Sequence, residues 1–518
     1  MIASLALGVL AIGGSDREVT FVDASLTVPG ELLSWKARDW DHDGRLDLML
    51  VALAPNGRRE LRVYPVQGQT IDAKPSHTME FLQDVTTFGL AELQPSENGL
   101  ELLLLSPTGA WSYSLNKSGY RNNIASLTKF DGLFDLPLSK RIGWWDYIGP
   151  GGHGVNQFLV PTLTGLQLAR QTEGAWDLLE IPTTDTPTRK GTGSLASTPR
   201  SSTGGFRVAL QVEGGKLKSP FIGESSKGIS TMAKDSVTLS APAWVDFDGD
   251  GDRDLLYLTT SELLIYRDDG TGPPAEPTRR EKLPAYLIPT DDNKPSLRLV
   301  DINQDDRLDI LVQAKKSSKS TFSNGTTKLM VLLQTKTRML PSKPNQTFSF
   351  AASNIKAQVA DIDGDEHLDL MVRQFELPDL TDMITGLEFT LTHMFYAGTG
   401  RGFESQPTLR QASTFDEEEV EGLIINRAFK MDLSGDGLAD MVEIDLQGRI
   451  AIRRLIKESG FFSGTTWALE EVPWKRFDTA GSISKLDVLD LNGDGQGDVV
   501  SVNDAGLTIF LSNSGAGR

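Results

Sequence analysis

An all-β chain built from one repeated unit is predicted by three features of the sequence. Six acidic nonapeptides of a single design recur, each opening into a short apolar run. The clear neighbours begin 55, 60, 71 and 58 residues apart, a repeat of roughly 60 residues. Between them, short apolar stretches alternate with Gly/Asn/Asp turns, and no helical period intervenes. Four short strands in such a unit, repeated, are the makings of a β-propeller blade, and a single propeller of four-stranded blades is expected.

The nonapeptides come first. They are Asp39-Trp40-Asp41-His42-Asp43-Gly44-Arg45-Leu46-Asp47, then DFDGDGDRD from Asp246, DINQDDRLD from Asp301, DIDGDEHLD from Asp361, DLSGDGLAD from Asp432 and DLNGDGQGD from Asp490. Oxygen-bearing side chains occupy positions 1, 3, 5 and 9. These are Asp39, Asp41, Asp43 and Asp47; Asp246, Asp248, Asp250 and Asp254; Asp301, Asn303, Asp305 and Asp309. In the later copies they are Asp361, Asp363, Asp365 and Asp369; Asp432, Ser434, Asp436 and Asp440; Asp490, Asn492, Asp494 and Asp498. A hard cation such as Ca²⁺ takes six to eight oxygens, and a tight loop supplies most of them. Position 7 is expected to offer only its backbone carbonyl, which admits Arg45, Asp252, Arg307, His367, Leu438 and Gln496. Position 6 needs a positive φ, usually from glycine, yet it is Asp306 in one loop and Glu366 in another. About six structural Ca²⁺ are expected, tightest at Asp39 and Asp246 and weaker at Asp432, where the neutral Ser434 replaces a carboxylate.

Composition agrees. The chain has 518 residues, no cysteine and a net charge of −19. That charge argues against a nucleic-acid partner, because no basic stripe outweighs the acidic background. Positions 1, 3, 5 and 9 of the loops hold 21 of the 70 acidic residues, and six bound Ca²⁺ would leave about −7, ordinary for a soluble domain. Without cysteine there are no disulfides, thiolate metal sites or thiol nucleophiles. Residues 1–14 are apolar over the length of a signal-peptide core, too short to span a bilayer, which points to an extracellular, periplasmic or cell-surface protein, bacterial by its texture. No later segment is apolar enough for a membrane span, so the remaining 15–518 are assigned to the propeller.

The 207 residues between Asp39 and Asp246 should hide eroded units. One runs from Leu93 to Glu101 into Leu102–Leu105, a second from Asp146 into Phe158–Val160, and a third precedes Phe206–Leu210. The count is then nine blades, with eight the main alternative. The first two eroded loops lack ligands and are expected to hold no metal. The last unit ends without a fourth strand, whereas Val19–Val28 is a surplus apolar segment closed by the turn Pro29-Gly30. That segment is expected to close the ring as the outer strand of the last blade.

These loops resemble the FG-GAP/VCBS repeat family, whose blades occur in integrin α-subunit heads and many bacterial secreted proteins. The resemblance spans about residues 20–513, strongly in six units and weakly in three. It implies a propeller with Ca²⁺ on the loop between the first two strands of a blade, but no particular activity, because such blades serve adhesion proteins, lectins, lyases and scaffolds alike.

No GxSxG, HExxH or P-loop motif is present, and His77, His153 and His393 stand alone. Trp35, Trp40, Trp111, Trp144, Trp145 and Trp244 read first as packing between blades, and 416–419 as a solvated turn. No catalytic residue is assigned. The expected role is a binding or adhesion scaffold with a protein or glycan ligand at a propeller face. The competing reading is a polysaccharide-lyase-like enzyme or a lectin on the same fold.

Overall fold

Eight sheets, each built on four antiparallel strands, form a ring of blades in the computed structural model, and blade 2 adds a short fifth strand, Gly143–Trp144, parallel to its first. It describes residues 19–513 except 95–98, 116–122, 133–141, 152–153, 163–164, 182–205, 210, 214–215, 219–235, 240–241, 260, 271, 289, 291–292, 317–324, 336–339, 353, 377–388, 416–427, 430, 446, 461–463, 480 and 504–505. The expected signal segment, His153 and the 416–419 turn lie outside the described residues.

Blade 1 runs from Glu31–Arg38 to His77–Glu80, blade 2 from Thr87–Ala91 to Ile124–Lys129, and blade 3 from Ile148–Gly149 to Ala175–Ile181. Blade 4 runs from Pro242–Val245 to Arg279–Lys282, blade 5 from Asn293–Val300 to Gln346–Phe350, and blade 6 from Asn354–Ala360 to Leu409–Phe415. Blade 7 runs from Ala428–Phe429 to Lys475–Phe477 and carries an extra hairpin, Leu455–Gly460 with Gly464–Leu469, before its last strand. Blade 8 comprises Lys485–Leu489, Asp498–Asn503 and Gly506–Asn513, completed by Thr20–Thr27 from the start of the chain.

The ring follows from where apolar side chains go. Side chains alternate faces along a strand, so a strand buried on both faces must be apolar throughout. The second strand of blade 1, Asp47–Leu53, is buried at every residue. Its Leu48, Leu50 and Ala52 pack toward blade 8, and Met49 and Val51 toward blade 2. The eight hydrophobic clusters correspond one to one with the eight blade interfaces, including the one between last and first. First strands outside blade 2 are largely half-buried, and some reach one another across blades: the Arg298 guanidinium donates to Ala357 O at 3.0 Å, and Lys485 Nζ lies 5.3 Å from the Trp35 ring. They form the inner rim. Trp40, Trp144 and Trp145 are buried between blades, the packing role expected of them.

The N-terminal segment closes the ring as expected. Thr20–Thr27 pairs antiparallel with the last strand over its whole length, from Thr20 opposite Asn513 to Thr27 opposite Gly506. Leu26 is fully buried, and Phe21 meets Phe477 edge-on at 5.0 Å.

The count of nine is corrected to eight. Among the described residues, the strand expected at Phe206 pairs only with Ser236–Leu239, and Gln211–Glu213 only with Lys216–Lys218. The described residues between blades 3 and 4 thus form two-stranded pieces rather than a four-stranded sheet. Dividing the gap by the repeat length counted chain, not pairing partners. Blade 3 also departs in detail: its first strand falls at Ile148–Gly149, inside the stretch read as the loop from Asp146.

Candidate metal centres

All six acidic loops join the first strand of a blade to the second, and one hydrogen-bond scheme holds each of them. The carboxylate at position 1 accepts from the amide at position 6, at 2.8–3.1 Å, in all six. Position 5 accepts from the amide at position 7, at 2.9–3.2 Å. Position 9 accepts from the amide at position 2, at 2.7–3.4 Å. Turning the chain this tightly requires positive φ at position 6, and Asp306 (64°) and Glu366 (70°) adopt it without being glycine. Position 4 is also left-handed, at His42 (61°) and Gln304 (56°) and at glycine in the other four loops. The sequence reading missed position 4, although four glycines there were the signal.

Position 9 differs from the rest. Asp47, Asp254, Asp309, Asp369, Asp440 and Asp498 are buried, and in four loops the second carboxylate oxygen accepts an amide at or just beyond the end of the third strand. Burial pushes the Asp47 and Asp440 carboxyls up to about 7 and the other four up to about 6. This residue staples the loop to the blade. The two eroded loops keep the staple in altered form. Glu101 accepts from Leu93 N at 2.9 Å and Gln94 N at 3.1 Å. In blade 3 the loop carries Pro150, which has no N–H to give, and the buried Gln157 amide instead donates to the Pro150 carbonyl.

Positions 1, 3 and 5 converge. In the Asp39, Asp246 and Asp361 loops, one ligand atom from each of the three carboxylates lies within 4.8 Å of the others. Two oxygens on opposite sides of a Ca²⁺, each 2.3–2.6 Å from it, are about that far apart. Position 3 also holds oxygens without a partner: Asp248 Oδ1, Asp363 Oδ1 and Ser434 Oγ are buried and make no hydrogen bond. Orphaned buried oxygens are costly unless something positive meets them, so the donor set fits a hard cation. The other loops substitute Asn303 and Asn492 at position 3.

Basic side chains already lean on some loops. Arg267 Nη2 lies 2.8 Å from both Asp248 Oδ2 and Asp250 Oδ2, and its hydrogen bond helps hold the Asp250 carboxyl below the usual range. Arg45 pairs with Asp43 within its own loop, at 2.5 Å. Lys457, from the hairpin of blade 7, lies 3.7 Å from Asp363 Oδ2 in blade 6.

The loops also lock to each other around one end of the ring. The amide at position 8 donates to the position-2 carbonyl of the preceding blade at Leu46 to Leu491 (3.0 Å) and Ala439 to Ile362 (2.9 Å). The eroded loop repeats the bond from Leu100 to Trp40, at 2.7 Å. A Cβ on Gly249 would lie 2.1 Å from Asp306 O, so glycine is needed there for close approach as well as for φ.

Fold and loops together define a repeat-built β-propeller with acidic loops at one end. Residues 246–312, from the blade 4 loop into the second strand of blade 5, match the model of the FG-GAP-like repeat, the family the loops resemble. No curated protein matches the chain. Among solved structures, BBS1N crystallised in complex with ARL6DN is similar at 9% identity, covering 96% of this chain and 98% of that one, with a TM-score of 0.37. A lectin of Agrocybe aegerita, described as recognising non-reducing terminal N-acetylglucosamine, is similar at 12% identity over 84% of this chain and 90% of its own, with a TM-score of 0.33.

Proposed function

We propose that the protein is a calcium-stabilised propeller scaffold of the cell exterior or envelope, binding a protein or glycan at one face of the ring. The observation that carries the metal part is the set of buried, unpartnered oxygens at position 3 beside carboxylates gathered to within 4.8 Å. Positions 1, 3 and 5 would hold the ion with the position-7 carbonyl, and position 9 would brace the loop from behind. The ion would supply positive charge that offsets clustered carboxylates, a structural contribution. The scaffold part is supported by the propeller fold and the FG-GAP-like repeat, and no helix among the described residues is long and apolar enough to cross a membrane.

Calorimetric titration of the chelator-treated protein with Ca²⁺ tests the metal part, with Asp39→Asn and Asp246→Asn each expected to remove one site. Absence of heat and of uptake in the unmodified protein would refute it. Glycan-array binding, repeated with and without Ca²⁺, tests the ligand class.

A further inference from the structure

The hairpin Leu455–Gly460 with Gly464–Leu469 leaves blade 7 between its third and fourth strands and packs on blade 6. Its Trp467 is buried in one cluster with Met371 and Leu409, and meets Phe395 edge-on at 5.5 Å. That anchor holds Lys457, whose Nζ lies 4.7 Å from the Trp467 ring centroid and 3.7 Å from Asp363 Oδ2. The second distance is longer than a hydrogen bond, so the ammonium acts there as a charge rather than a ligand. The Asp363 side chain is 7% exposed, and its Oδ1 has no partner. Asp361, Asp363 and Asp365 converge within 4.8 Å, so one ammonium at the edge leaves most of the cluster's charge uncompensated. Among the described ion pairs of the loops, Lys457 with Asp363 is the one that brings its base from a neighbouring blade; Arg45, Arg267 and Arg307 all serve their own.

We propose that Lys457 is the resident counter-cation of the blade 6 loop and competes with a divalent cation there, so that hairpin docking and cation uptake oppose each other. The proposal rests on the reading of these loops as Ca²⁺ sites. A divalent ion among the three carboxylates would place two positive charges a few ångströms from Nζ and claim the oxygens that attract it. The antagonism is reciprocal: whatever Lys457 takes from cation affinity, the cation takes from the seating of the hairpin.

The test is calorimetric Ca²⁺ titration of the full chain beside Lys457→Met, Lys457→Arg, Asp365→Asn and the double variant Asp365→Asn/Lys457→Met. Methionine keeps an apolar stem on Trp467, and arginine keeps the charge. Lys457→Met should tighten one site by between about fivefold and a hundredfold. Lys457→Arg should stay near the unmodified protein, and the gain should vanish in the Asp365→Asn background. Amide exchange of the 455–469 peptide should quicken when Ca²⁺ is added to the unmodified protein and change less in Lys457→Met. An isotherm unaltered by Lys457→Met, with Asp365→Asn still losing one site, overturns the competition while leaving the loop a Ca²⁺ site. If Asp365→Asn removes no site, the Ca²⁺ reading of this loop fails and the proposal falls with it.

Discussion

Cutting Leu26 back to alanine tests ring closure with little other disturbance. Leu26 lies on the strand that completes blade 8 and is 1% exposed, packed with Ala37 and Leu48 of blade 1 and with Leu507 of its own blade. It therefore seals the one interface where the two ends of the chain meet. Removing a fully buried leucine's outer carbons costs about 2–5 kcal/mol, the upper part of that range applying where neighbours cannot collapse into the gap. Val22 on the same strand is 42% exposed, so Val22→Ala should cost no more than about 0.5 kcal/mol. The assay is urea unfolding in Ca²⁺, comparing midpoints at equal slope. A second variant attacks the pairing itself: a Cβ on Gly506 would lie 2.0 Å from Leu26 O, at φ +147°, so Gly506→Ala should push the closing strand out. If Leu26→Ala melts with Val22→Ala, closure by this strand does not contribute to stability and the reasoning is wrong.

Asp309→Ala should cost about 2–4 kcal/mol whether or not Ca²⁺ is present, because it strands the buried amides of Ile302 and Gln334; a loss seen only with Ca²⁺ would make position 9 a ligand rather than a staple. The position-9 carboxyls sit at about 6 to 7, above the ordinary 3.8, so the folded metal-free protein binds protons that the unfolded chain releases. Their contribution is full below about pH 4 and is lost as pH rises through about 6–7, so the metal-free urea midpoint should be higher at pH 5 than at pH 7.5. The opposite order would show that these groups do not govern the dependence.

Much of the fold was legible because its signals are local. The loops fix turn geometry through six near-identical hydrogen-bond sets, and the closing strand announced itself as an apolar run ending in Pro29-Gly30 with no partner of its own. The count of nine gave way to the alternative of eight because spacing measures length, whereas a blade exists only where four strands pair; among the described residues Phe206–Ala209 has one partner. Position 9 was grouped with positions 1, 3 and 5 because all four carry a side-chain oxygen; its burial and its bond to the position-2 amide are invisible in a spacing. Arg267 and Lys457 approach from outside the nonapeptides, Lys457 from another blade, so no motif could have joined them to the loops.

The central claim is that these loops stabilise the ring by holding Ca²⁺, and the thermal midpoint with and without Ca²⁺ tests it most directly. Each ion bound only by the folded state adds about 2.7 kcal/mol when its concentration is a hundredfold above the dissociation constant. The account predicts a midpoint that climbs with Ca²⁺ concentration, falls on chelation and responds less after Asp246→Asn. A midpoint indifferent to Ca²⁺ across that range would contradict it.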